Sequence, residues 1–100
     1  MNQRLTEIHK EIDALILDLL GPLRTSKAIN RSAFDKLYLL LDEVKEIVEN
    51  EDIVPKKLVG KLFFIYMSMN GEGGHTQYPD PIFMEIGRVE SYLDEIFKSE

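Results

Sequence analysis

The side chains that could do chemistry in this sequence are two histidines and eighteen carboxylates, since the chain has no cysteine. A metal site would need His75 together with Glu72 or Asp80, or His9 together with Asp13 on the same helical face. Neither set has the Glu-x-x-His pairs of di-iron bundles or the His-Glu-x-x-His of zinc proteases. We therefore predict no metal ligands.

The segment "NGEGGHTQYPDP" at 70–81 contains three of the six glycines and two of the four prolines. Its Gly-rich run, 71–74, lacks the pattern of a phosphate-binding loop, because no strand precedes it and no Lys-Ser or Lys-Thr follows. Ending one helix and starting another explains these residues. We predict no cofactor, no catalytic residues and no enzymatic activity.

Length and charge limit the classes of function. One hundred residues with 44% hydrophobic content predict one globular domain over 1–100. A net charge of −6 argues against binding to nucleic acid, which requires clustered cations. The N-terminal segment is charged throughout, and the longest apolar run is far shorter than a membrane span, so we expect no signal peptide, no membrane insertion and a cytoplasmic location.

Helix signals divide the chain into four segments. Apolar residues recur at the spacing of one helix face over 3–20, 32–50, 55–69 and 81–98. Gly21–Pro22 predicts the end of the first helix. Ser32 with Asp35 is a plausible capping pair for the second, Pro55 suits the first turn of the third, and Asp80–Pro81 repeats a start signal. No segment shows the period of a strand.

Four helices with short connections predict an all-α, antiparallel up-and-down four-helix bundle. The layout of about one hundred residues, with this helix order and with Pro55 opening the third helix, is similar to that of small bacteriocin immunity proteins. That resemblance implies a non-enzymatic protein that neutralises a toxin.

The third predicted helix has an apolar arc wider than half its circumference, because Phe64 and Met67 extend the stripe beyond its core positions. One interpretation is that this is the central, most buried helix of the bundle. The other is that Phe64 and Met67 form an apolar patch for a second copy or a partner. Gly60 and Gly87 lie inside helices, and close helix–helix approach would explain both of them.

Two charged surfaces are further candidates. Loops 21–31 and 70–80 should share one end of the bundle, where they form a candidate anion-binding pole with the side chains of Arg24, Lys27, Arg31, His75 and Tyr78. Two solvated loops are the alternative, but the length of the second loop, about ten residues, exceeds the usual 2–8. The second helix carries an acidic run, which is either a solvated face or a docking face for a basic partner. Its candidate residues are Asp42, Glu43, Glu46 and Glu49.

The leading hypothesis is a non-enzymatic interaction module that binds another protein or itself, with a homodimer among the options. The alternatives are an immunity-like or antitoxin-like neutraliser, in which the acidic face covers a basic toxin, and a small-anion-binding pole.

Overall fold

The computed structural model describes residues 3–51, 53–74 and 80–98. These residues form four helices: α1 (Gln3–Ser26), α2 (Arg31–Val48), α3 (Lys56–Gly73) and α4 (Asp80–Phe97). Every described helix packs against two others, so the predicted all-α four-helix bundle is confirmed.

Helix α1 continues six residues past its predicted end, so the prediction that Gly21–Pro22 terminates it is wrong. Pro22 lacks an amide hydrogen, which removes one bond from the helix ladder. The extra turn buries Leu23 completely, and this burial favours continuing the helix. The helix ends instead at Lys27, whose φ of 53° is left-handed and whose amide donates to the carbonyl of Leu23 at 3.1 Å.

The start of α2 also differs from the prediction. Its N-cap is Asn30, whose side-chain oxygen accepts a hydrogen bond from the amide of Ala33 at 3.2 Å. The predicted capping by Ser32 is therefore wrong by two residues. An asparagine at the N-cap bonds a helix amide as well as serine does, and Asn30 follows closely after the end of α1 at Ser26.

Helix α3 reaches Gly73, four residues beyond its predicted end at Met69. Only residues 74–79 then separate α3 from α4, a length within the usual range for helix connections. The unusual loop length that favoured a binding role for 70–80 is thus absent. The predicted cap by the Asp80 side chain lies outside what the structure describes.

Neighbours in the bundle are not all consecutive in sequence. Helix α1 packs on α2 and α3, and α4 packs on the other sides of the same two helices. Ion pairs from Asp13 to Lys61 and from Lys27 to Glu72 show that α1 and α3 run parallel to each other. Chain direction still alternates from one helix to the next, so the 49–55 connection crosses between diagonally opposite helices.

All four helices contribute to one core. Its fully buried large side chains include Phe34, Leu5, Ile8, Ile12, Leu19, Leu20, Leu23, Leu37, Leu41, Leu58, Leu62, Ile65, Met69 and Ile82. Helix α3 contributes fewer buried residues than α2, five against seven in helices of equal length. The interpretation of α3 as the central, most buried helix is wrong, and its outer face is exposed.

Candidate functional site

The exposed face of α3 has an apolar strip, which we call the α3 strip: Gly60, Phe63, Phe64, Met67 and Gly71. These residues recur at the spacing of one helix face, opposite the core positions of α3. Phe63 and Phe64 are 43% and 45% exposed, and Met67 is 69% exposed. The structure therefore places both predicted patch residues, Phe64 and Met67, on the surface and side by side.

The two aromatic rings of the strip are held by contacts on either side. Phe63 stacks on Phe97 of α4, with ring centroids 5.9 Å apart and planes at 27°. On the other side, Lys61 Nζ lies 5.8 Å from the centroid of the Phe64 ring and 2.7 Å from a carboxylate oxygen of Asp13. This ammonium group lowers the pKa of Asp13 below its usual range. The aromatic rings of the strip therefore contact α4 directly and are linked to α1 through Lys61.

Glycines in these helices are not explained by helix packing within the chain. A Cβ added at Gly60, Gly71 or Gly87 would meet no described atom within 4 Å. The prediction that close helix–helix approach explains Gly60 and Gly87 is therefore wrong. Gly73 is the described helical glycine that a neighbour crowds, since its Cβ would lie 2.8 Å from Cε1 of Phe83.

Two residues of the predicted acidic face, Asp42 and Glu43, accept hydrogen bonds from other helices. Asp42 accepts a hydrogen bond from the Tyr92 hydroxyl at 2.8 Å, and Glu43 accepts two from the Arg4 guanidinium at 2.6 and 2.9 Å. The Arg4 contacts lower the pKa of Glu43. These two carboxylates are occupied by contacts within the bundle.

Glu46 and Glu49, together with Asp42, line a cleft of about 670 Å³ between the C-terminal ends of α2 and α4. The charged residues of this acidic cleft are Asp42, Lys45, Glu46, Glu49, Glu51, Glu95 and Lys98. Five of these seven carry negative charge, so the cleft would attract a cationic group.

The predicted anion-binding pole is not a cluster of unpaired cations. Lys27 contacts the carboxylate of Glu72, and Arg31 contacts that of Glu85. Arg24 is exposed in the last turn of α1, where its charge favours the negative end of the helix. His75 and Tyr78 lie outside the described residues.

A buried polar cluster between α2 and α4 was not found from the sequence. The Glu85 side chain is 10% exposed, and its Oε1 accepts a hydrogen bond from the Tyr38 hydroxyl at 2.6 Å. Arg31 donates to both carboxylate oxygens, at 3.2 and 2.7 Å. The signal for it is a tyrosine on a predicted core stripe, because a buried hydroxyl requires a partner.

Aromatic contacts extend this cluster along α4. The Tyr38 ring stacks on Tyr92 with centroids 5.5 Å apart, and the Arg88 guanidinium carbon lies 4.1 Å from the Tyr38 centroid. The bond from Arg31 lowers the pKa of Glu85, whereas burial and the Glu85 carboxylate raise that of Tyr38. Both shifts move away from neutral pH. The cluster therefore fastens α2 to α4, and neither group is tuned for proton transfer near pH 7.

The described residues form neither a metal site nor a membrane-spanning helix. Across residues 3–51, 53–74 and 80–98, no three His, Asp or Glu side chains are grouped so that they could hold a metal ion. None of the helices in the described part of the chain is both long and apolar enough to cross a membrane. No protein-family model matches the sequence, and comparisons with curated proteins and with solved structures gave no match.

Proposed function

We propose that this protein is a non-enzymatic interaction module that binds protein through the α3 strip. The observation that carries the proposal is the exposure of Phe63, Phe64 and Met67 together on one helix face. Single exposed apolar residues are ordinary on protein surfaces, but a contiguous group is typical of binding sites. These three side chains expose roughly 300 Å² of apolar surface, which is the lower end of the range for the largest apolar patch on a typical monomeric protein.

The contacts around the strip support a binding role. Rings that are already held in place lose little conformational entropy on binding, which favours affinity. Met67 lies one turn further along the same face and has a flexible, polarisable side chain, which adapts to an opposing surface. Anchors at i, i+3, i+4 and i+7 spacing are the arrangement by which one helix packs against another.

The test compares Met67→Ser with Leu39→Ser. Both side chains are 69% exposed, and Leu39 lies on α2, away from the strip. We expect both variants to keep the wild-type urea midpoint, because each removes an exposed side chain. Light scattering reports self-association, and capture with tagged protein reports associations with other proteins.

The proposal requires that Met67→Ser lose an association that wild type and Leu39→Ser both show. Identical associations in the two variants would contradict it. Unfolding of Met67→Ser would also contradict it, since Met67 would then be part of the core.

The acidic cleft favours a second candidate function, an immunity-like neutraliser that covers a basic toxin. Glu46, Glu49 and Glu95 approach it from two helices, and its negative potential would speed the encounter with a cationic partner. In the test, co-expression should protect cells from one specific toxic protein. The double variant Glu46→Lys, Glu49→Lys should abolish that protection. The control Asp18→Lys, at an exposed position on α1, should leave it unchanged. Protection that survives the cleft variant would count against this function.

A further inference from the structure

We propose that the α3 strip is occupied by a second copy of this chain, with the two α3 helices antiparallel about a two-fold axis between Phe63 and Phe64. This inference rests on the proposed function, because it names the partner of the same surface. Two features of the strip support it, its shape and its charge, and its exposed area sets the expected strength of the dimer.

The strip is complementary in shape to itself. Gly60 and Met67 lie on the same face, each about 5 Å along the helix from the midpoint between Phe63 and Phe64. Gly60 lines an open hollow beside Lys61 and Phe64, where an added Cβ would meet no described atom within 4 Å, and Met67 is the most exposed side chain of the strip. A two-fold axis at that midpoint puts Met67 of each copy opposite Gly60 of the other. The protruding Met67 side chain then meets the hollow at Gly60 twice, as the two-fold symmetry of an isologous interface requires.

Charge favours the antiparallel direction. Lys56 and Lys57 are exposed at the start of α3, and in this arrangement they lie beside Asn70 and Gly71 of the second copy. Those residues belong to the C-terminal turns of α3, the negative end of the helix dipole, where a nearby cation is stabilising. A parallel pair would instead place lysine against lysine, Met67 against Met67 and hollow against hollow.

The exposed apolar area of the strip limits the strength of the dimer. Specific dimers bury about 800 Å² on each partner. The strip supplies less than half of this area, so we expect a weak dimer with a dissociation constant that is micromolar or higher.

Disulfide trapping tests the arrangement directly, because the natural chain has no cysteine. Single variants Gly60→Cys and Met67→Cys, one carrying a mass tag, are mixed under mild oxidation. We expect the 60–67 heterodimer to form at least ten-fold faster than either homodimer and ten-fold faster than Gly60→Cys with Leu39→Cys. A parallel pair would give the opposite result, with homodimers preferred, and would overturn the proposal.

Light scattering on variants of the hollow provides an independent measurement. Gly60→Leu fills the hollow that would receive Met67 of the second copy. Gly87→Leu is the control, because it adds the same side chain at an equally open helical glycine on α4. The solution mass of wild type and of Gly87→Leu should rise with concentration from 11.6 kDa toward twice that value. The dissociation constant of the Gly60→Leu dimer should be at least ten-fold higher.

The outcomes separate this inference from the function on which it rests. Wild type that stays monomeric at every concentration, while Met67→Ser loses capture of a different protein, overturns the second copy and leaves the proposed function standing. A dimer that forms equally well with Gly60→Leu overturns the arrangement. Loss of neither self-association nor capture in Met67→Ser overturns both.

Discussion

Replacing Glu85 with glutamine tests how strongly the buried cluster fastens α2 to α4. The carboxylate accepts one hydrogen bond from Tyr38 and two from Arg31, at 2.6 to 3.2 Å. Glutamine keeps the shape and one oxygen but carries no charge, so it loses at least one bond to the guanidinium. A hydrogen bond to a charged group contributes about 1.5–3 kcal/mol, against about 0.5–1.5 kcal/mol for a neutral pair.

Partial solvation reduces the expected loss. The Arg31 side chain is 49% exposed, so water replaces part of what the carboxylate provided. We expect the free energy of unfolding at pH 7 to fall by roughly 1–3 kcal/mol, and the melting temperature of a domain of this size to fall by about 4–8 °C per kcal/mol. Urea unfolding followed by helical circular dichroism measures the loss. Glu95→Gln, an exposed acid on the same helix, is the control and should be nearly neutral.

The pH dependence gives a second check on the same residue. The folded-state pKa of Glu85 lies below its ordinary value, chiefly because of the bond from Arg31. Its charge therefore stabilises the fold fully above the unfolded-state pKa of about 4.3, and this contribution is lost as pH falls through the folded-state value. The difference between wild type and Glu85→Gln should shrink over that interval. A difference that is absent at pH 7, or that remains unchanged in acid, would refute the ionised cluster.

Two further predictions concern the backbone, and urea midpoints measure both. Gly87→Ala should stabilise the fold by about 1 kcal/mol, because the new methyl group meets no described atom and alanine favours helix. Gly73→Ala should gain less, because its methyl group would lie 2.8 Å from the Phe83 ring; an equal gain would contradict that crowding. Asn30→Ala should cost about 1 kcal/mol through the lost N-cap bond, whereas Ser32→Ala should cost less than about 0.5 kcal/mol. A larger loss of stability in Ser32→Ala than in Asn30→Ala would contradict the assignment of Asn30 as the N-cap.

Helix number and core faces could be predicted from this sequence because both depend on a repeating pattern. Positions such as Leu37, Leu41 and Val44 recur with the helical period, and all three are buried. A repeated signal tolerates local error, since each apolar residue supports the same assignment. The bundle therefore followed from periodicity alone.

Helix ends were harder because they depend on competition between single residues. An interior proline costs about 3 kcal/mol, and burying a leucine completely returns about 1.5–3 kcal/mol. Pro22 and Leu23 are adjacent and nearly cancel, so local signals could not decide where α1 ends. The Lys27–Glu72 contact just past the last turn further favours the longer helix, and it joins residues 45 positions apart.

Three of the charged candidates are paired within the bundle, and the sequence could not show this for a related reason. Composition showed that Lys27, Arg31 and Glu43 carry charge, but a partner in space decides whether that charge is available. Each of them meets its partner across 39 to 54 residues of sequence. Such pairings depend on which helices are neighbours, and the diagonal 49–55 connection sets that order. Without it, the α2–α4 contact that holds Glu85 against Tyr38 could not be predicted.

The α3 strip differs from these features because the fold does not account for it. Leu58, Leu62 and Ile65 already supply the buried face of α3, so the bundle does not require Phe64 or Met67 on the outside. Gly60 weakens the helix by about 1 kcal/mol relative to alanine, and no described neighbour needs the space. A helix shaped only by folding would carry polar helix formers at these positions. A second α3 helix packed on the strip would explain both the apolar side chains and the glycine. Gly60→Leu tests this explanation, because the new side chain should block that packing without destabilising the folded monomer.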